Sequence, residues 1–169
     1  MLNSDRLAIV LVVLGAASRL LHLPPNIAAV TGVTIFAGYA IRNIWLALLV
    51  PIGAMALADV VLGWYPDVVF TYAGMACGVF VARTLLRPLT PARLIATTFL
   101  SSLSFFFLSN FGVWVSGYYG YTLDGLTACF VAAIPFWQNS LIADFTSTAL
   151  VFGIYLLAKR VVPTVSVQA

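Results

Sequence analysis

Apolar runs of about twenty residues follow one another along almost the whole chain, parted only by short breaks of proline, glycine and charge. No other feature narrows the possible folds so far. A helix that crosses the ~30 Å hydrocarbon layer of a bilayer needs about 20 mostly apolar residues, with a range near 17–25. Reading the breaks as helix ends gives six expected spans, at about 7–23, 27–41, 45–63, 68–86, 93–117 and 138–160. The second would cover only ~22 Å at ~1.5 Å per residue, so it must be tilted, locally thinned around or sheltered by its neighbours. Between the fifth and sixth lies a half-apolar piece, Leu123 to Ile134, closed by Pro135. It is expected to lie along the interface as an amphipathic helix, with a re-entrant turn as the alternative. The expected fold is all-α: a polytopic membrane protein, a six-transmembrane-helix bundle with an interfacial helix before the last span, in one domain over residues 1–169.

The N-terminus has a second reading. Arg6 followed by LAIVLVVL and the small residues GAAS has the form of a signal peptide. The run continues through Leu20 and Leu21 to the Pro24–Pro25 break, however, and removing it would leave an odd number of helices. It is therefore read as a retained first span.

Of the 169 residues 63% are hydrophobic and 8% charged, against about 25% charged in soluble domains, so lipid is the solvent for most of the surface. The net charge of +3 is a topology signal and gives no reason to expect nucleic acid. Arg6, Arg42, Arg83, Arg87, Arg93, Lys159 and Arg160 all fall at ends that six alternating spans place on one side. By the positive-inside rule that side is cytoplasmic. The expectation is a bacterial inner-membrane protein with both termini inside. Asp5 alone of the acids lies there; Asp59, Asp67, Asp124 and Asp144 fall in or near the outer half. Cys77 and Cys129 sit in apolar runs outside any CxxC or Cys/His pairing, as packing residues would. Gly74, Gly78 and Ala82 on the fourth span, and Ala54 and Ala58 on the third, make small-residue faces on which helices approach closely.

Ionisable groups inside spans are costly and are functional candidates by default. Arg19 and Asp59 each fall ~6 Å below the outer boundary, Asp144 ~9 Å and Asn110 ~10 Å, at the helical rise. Four helices thus bring polar groups to one level, above an inner half read as apolar. Arg19 and His22 share a face, as do Asn110 and Trp114, and Ser140, Asp144, Ser147 and Thr148 form a stripe. If these faces converge they line a cavity opening outward, rimmed by Trp64, Tyr65, Asp67, Tyr118, Tyr119 and Tyr121. Each has a plainer role: the aromatics as interfacial anchors, Arg19 as ion-pair partner of Asp59 or Asp144, Asn110 as a bond between helices.

Five segments, RLLHLPPN (19–26), FAG (36–38), AMALADVVLG (54–63), NFGVW (110–114) and AAIPFWQNSLIAD (132–144), resemble a small bacterial membrane family of unknown function, DUF6580, described as candidate transport proteins. That family is in turn similar to the substrate-binding S components of energy-coupling-factor vitamin transporters. The resemblance implies a six-helix bundle that holds a vitamin-like ligand near its outer face. A separate coupling-factor membrane subunit and ATPases would then drive release inward. The matching blocks fall on Arg19, Asn26, Asp59, Asn110, Trp114, Asn139 and Asp144. The docking face of S components, alanines four apart on the first helix, reads here as Ala8, Val12 and Ala16.

No GxxxxGK[ST] loop is present and Lys159 is the sole lysine, so the chain cannot hydrolyse ATP through a P-loop. Ala58 and Ala143 precede the two intramembrane aspartates, which removes the YD and GxGD patterns of aspartyl intramembrane proteases, and no GxSG occurs. The expectation is a non-enzyme without cofactor or metal that captures a small molecule for uptake. Asp59 and Asp144 would meet donors or cations and Arg19 a carboxylate, a phosphate or one of those acids. Asn110 and Asn139 would orient the ligand, with Trp114 stacked on a flat ring; His22 and Asn26 complete the set. A non-transporting structural or assembly protein is the alternative.

Overall fold

The computed structural model describes residues 4–21 and 28–161. Among them every regular element is a helix: α1 (Ser4–Leu20), α2 (Val30–Ala40), α3 (Ile44–Leu62), α4 (Val68–Leu85), α5 (Pro91–Val115) and α6 (Leu123–Val161). Four of these, α3, α4, α5 and Leu123–Arg160 of α6, are long and apolar enough to cross a membrane, whereas α1 has 17 residues and α2 has 11. Large apolar side chains such as Val60, Val61, Val69, Ile95 and Ile154 stand exposed around the outside, the surface a lipid solvent requires and water would not tolerate.

Local chemistry sets the helix ends. The Asn43 side chain accepts from the backbone N–H of Trp45 (2.9 Å) and of Leu46 (3.4 Å) to open α3, and Thr90 accepts from Arg93 N–H to open α5, with Pro91 in its first turn. Such caps satisfy donors that the helix itself leaves orphaned. Gly63 closes α3 at φ +95°, a conformation that favours glycine.

The short α2 is the hub. Val30 to Gly38 are all buried, and α2 contacts each of the other five helices. A helix wrapped by protein need not match the bilayer thickness, which is the sheltered solution among those open to its short span. Close approach depends on small residues: a methyl built on Gly38 would stand 2.7 Å from the Val79 carbonyl oxygen of α4, and one on Gly32 2.6 Å from the Ser147 backbone of α6. The Gly74–Gly78 face of α4 meets Phe105 of α5 and Thr34 of α2, and Ala54 of α3 meets Gly15 of α1, as the small-residue faces predict.

Two expectations are corrected. Pro135 does not separate an interfacial helix from the last span; it lies inside one continuous 39-residue helix. A proline removes one backbone donor, and a helix packed among others can re-satisfy the freed carbonyl. At ~1.5 Å per residue α6 is ~58 Å long, about twice the hydrocarbon thickness, so its N-terminal part extends beyond a single crossing. Nor is the half of the bundle below the aspartates apolar. Thr34, Thr97, Thr98, Ser101 and Thr148 are buried there, a hydroxyl seam where α2, α5 and α6 meet.

The basic residues gather at one end. Arg83 Nη2 donates to the carbonyls of Ile41 (2.7 Å) and Arg42 (2.8 Å), Arg87 to Tyr39, and Arg93 to Leu85 and Arg87. These bonds tie the α2–α3 and α4–α5 turns together over a solid core that includes Leu11, Phe36, Ile41, Val79, Leu86 and Phe152. Phe36, Tyr39, Phe152 and Tyr155 pack beneath them, three of the four ring pairs edge to face and Tyr39–Phe152 tilted, with centroids 5.2–5.8 Å apart, and Lys159 Nζ lies 5.2 Å from the Tyr155 ring centre.

Candidate functional site

At the opposite end the helices do not close. A cavity of about 440 Å³ is lined by residues of all six, among them Arg19 of α1, Thr31 of α2, Met55 of α3, Met75 of α4, Asn110 of α5 and Asp144 of α6. Its size falls within the range of small-molecule sites, ~300–1,000 Å³.

One wall is a fixed ion pair. Arg19, in the last turn of α1, places Nη1 2.7 Å from Asp59 Oδ1 of α3 and 3.2 Å from the Met55 carbonyl. Tyr72 of α4 donates its hydroxyl to Asp59 Oδ2 at 2.8 Å. Asp59 is fully buried and both of its oxygens are engaged, so it backs the wall and does not face the cavity. Ser18 extends the scaffold by accepting from Ala29 N–H at 2.9 Å, which joins the end of α1 to the start of α2.

The facing wall is built around Asp144, which is 5% exposed. The hydroxyl-bearing side chains of Thr31 and Ser102 are its polar neighbours. Ser102 Oγ in turn accepts from Trp137 Nε1 at 3.1 Å, so the one proton Ser102 carries is free to point at the carboxylate. Among the described residues no cation pairs with Asp144. Between the walls lie aromatic and thioether surfaces: Phe105, Phe106, Phe136, Trp137, Met55 and Met75. The Trp137 ring is tilted over Phe106 with centroids 4.9 Å apart. Cys129, a free thiol, also lines the cavity and donates to the Asn110 carbonyl at 3.4 Å.

Tyr65 and Tyr119 line the cavity near its mouth. Burial raises the Tyr65 hydroxyl above the usual phenol range, which keeps it a neutral hydrogen-bonding group. The other rim candidates, Trp64, Asp67, Tyr118 and Tyr121, do not line it; the three aromatics are exposed at the helix ends, as interfacial anchors are.

Of the eight residues singled out in the sequence, the structure brings Arg19, Asn110 and Asp144 to the cavity and Asp59 directly behind it. Asn110 Nδ2 donates to its own helix at Phe106, which leaves its amide oxygen as the group to offer a ligand. Trp114 does not line the cavity; its ring sits against Phe111 (5.6 Å) and Tyr121 (6.3 Å). Asn139 is half-buried on α6, also off the cavity. His22 and Asn26 lie outside the described residues. Sequence reasoning missed Trp137 and Tyr72. Trp137 stands inside the PFWQN segment and Tyr72 one turn into α4, and each acts on a side chain far away in the chain.

No curated protein and no solved structure matches the chain. A family model matches residues 2–165, nearly the full length, and on that match the chain belongs to DUF6580, a family of unknown function.

Proposed function

We propose that this protein is a substrate-binding membrane subunit that captures a small vitamin-like or cofactor-precursor molecule for uptake, holding it in a pocket that faces out of the cell. The observation that carries the reading is the 440 Å³ cavity, where polar side chains of five helices meet an aromatic wall at the end away from the main arginine cluster. The positive-inside rule places the arginine end in the cytoplasm, so the cavity faces outward and both termini lie inside. A self-sufficient secondary transporter keeps its site near the midplane. Here the site lies toward one end above a solid core, an arrangement that suits a binder moved by a partner. The coupling-factor membrane subunit and ATPases of the S-component systems are partners of that kind. The role is binding and not catalysis: Asp59 is engaged by Arg19 and Tyr72 and cannot share a proton with Asp144 as a protease dyad would.

The test is a thermal-shift screen of the purified protein against vitamins, purines and their precursors. A ligand at about 100 times its Kd adds ~2.7 kcal/mol, which the melt will register. Copurification with a coupling-factor subunit would identify the energising partner. A screen blank for every compound would sink the capture reading.

A further inference from the structure

The charges around the cavity do not cancel, and we infer from their arrangement that the captured molecule is a monocation: a planar ring system carrying one ammonium or heteroaromatic positive charge. This inference rests on the capture reading. Three formal charges of the described residues lie at this level. Arg19 and Asp59 neutralise each other at 2.7 Å. Asp144 remains, 5% exposed, with hydroxyl neighbours and no counter-cation among the described residues. A carboxylate removed from water without a partner is costly, so a bound molecule that supplies the missing positive charge gains more than a neutral one.

An anion is disfavoured by the same walls. Arg19 is the one basic residue among the described residues lining the cavity, and its guanidinium is held by Asp59 and the Met55 carbonyl. A carboxylate or phosphate would have to compete with Asp59 for it while facing Asp144. The remaining surface favours a flat cation. The faces of Phe105, Phe106, Phe136 and Trp137 attract positive charge through their ring quadrupoles and stack on planar groups, and the thioethers of Met55 and Met75 are polarisable. Trp137 holds the Ser102 hydroxyl at 3.1 Å in the neighbourhood of Asp144, so a polar group stands at the anionic end of the site before a ligand arrives.

The test uses probes matched in shape and different in charge, of which 1-methylnicotinamide, nicotinamide and nicotinate are one set and thiamine with an uncharged ring analogue is another, added to the vitamin and purine screen. Binding is read by thermal shift and by quenching of tryptophan fluorescence in detergent-solubilised protein. The compounds that bind are expected to be cations, at least tenfold tighter than their neutral or anionic counterparts. Asp144→Asn should remove that preference; if the amide variant does not fold, Asp144→Glu, which keeps the charge on a longer arm, should still favour the cation over its neutral counterpart, and a Glu variant that binds both equally overturns the monocation. A neutral or anionic compound that binds as tightly, or a preference that survives Asp144→Asn, overturns the monocation while leaving capture standing. A blank across the whole panel defeats both.

Discussion

At the arginine end of the bundle Phe36, Phe152, Tyr39 and Tyr155 fill the space between helices with interlocked rings; at the aspartate end the same six helices leave about 440 Å³ between them. The charges divide in the same way. Seven basic residues and Asp5 belong to the first end, and Arg19 with four aspartates to the second. The basic groups at the packed end act as caps, with Arg83 and Arg93 donating to carbonyls that close α2 and α4, so their charge stabilises helix C-termini. At the hollow end the charged groups point at one another and at the space between. A bundle that maximised its own stability would fill both ends. Leaving one open, with a carboxylate on its wall, is the kind of local cost that functional sites carry.

Removing Arg19 should have the largest effect on this comparison. Arg19→Gln leaves Asp59 fully buried beside Tyr72 without its counter-charge, a loss of roughly 3–5 kcal/mol by the behaviour of broken buried pairs. The thermal melt in detergent should fall accordingly, and Arg19→Gln with Asp59→Asn should recover much of it. If the single variant melts like wild type, the ion pair does not hold the cavity wall. The packed end provides the next step down. Gly38→Ala drives a methyl to 2.7 Å from the Val79 oxygen and 2.9 Å from Ala82 Cβ, which should cost about 1–3 kcal/mol as overpacking does. Gly153→Ala, on a stretch of α6 where nothing lies within 4 Å of the new carbon, should gain ~0.5–1 kcal/mol. Equal effects at the two glycines would mean that the arginine end is looser than its contacts indicate.

The all-helical character, with four helices long and apolar enough to cross a membrane, and the division of charge were legible because hydropathy and the placement of arginine are properties of short segments. The level shared by Arg19, Asp59, Asn110 and Asp144 followed from counting residues along helices whose ends are marked. The choice between pairing Arg19 with Asp59 or with Asp144 did not follow, because it depends on which of α3 and α6 lies against the end of α1. Pro135 misled for a related reason: proline breaks an isolated helix, and only packing decides whether the freed carbonyl is satisfied. The seam of Thr34, Thr97, Ser101 and Thr148 was read as apolar because hydroxyls carry no formal charge and vanish into hydropathy averages. Their Oγ atoms are buried without a hydrogen-bond partner among the described residues, so the seam is more polar than any count of ionisable residues suggests.

The two tryptophans give the finest test of where the hollow end keeps its chemistry. Spacing pointed to Trp114, one turn from Asn110, and the structure points to Trp137. Trp114 Nε1 is buried with no partner among the described residues, so Trp114→Phe removes that donor and keeps most of the ring; stability should hold or rise slightly, and ligand affinity should not move. Trp137→Phe removes the donor that orients Ser102 at 3.1 Å. A hydrogen bond between helices in a membrane protein averages ~0.6 kcal/mol, so the melt should shift only a little. The ligand should notice more than the fold does, since Ser102 is then free to turn away and the carboxylate loses a polar neighbour held in place. Titration of a bound probe in both variants checks this: weakened binding in Trp137→Phe beside unchanged binding in Trp114→Phe is the expected pattern, and the reverse would place the site on the wrong side of α5.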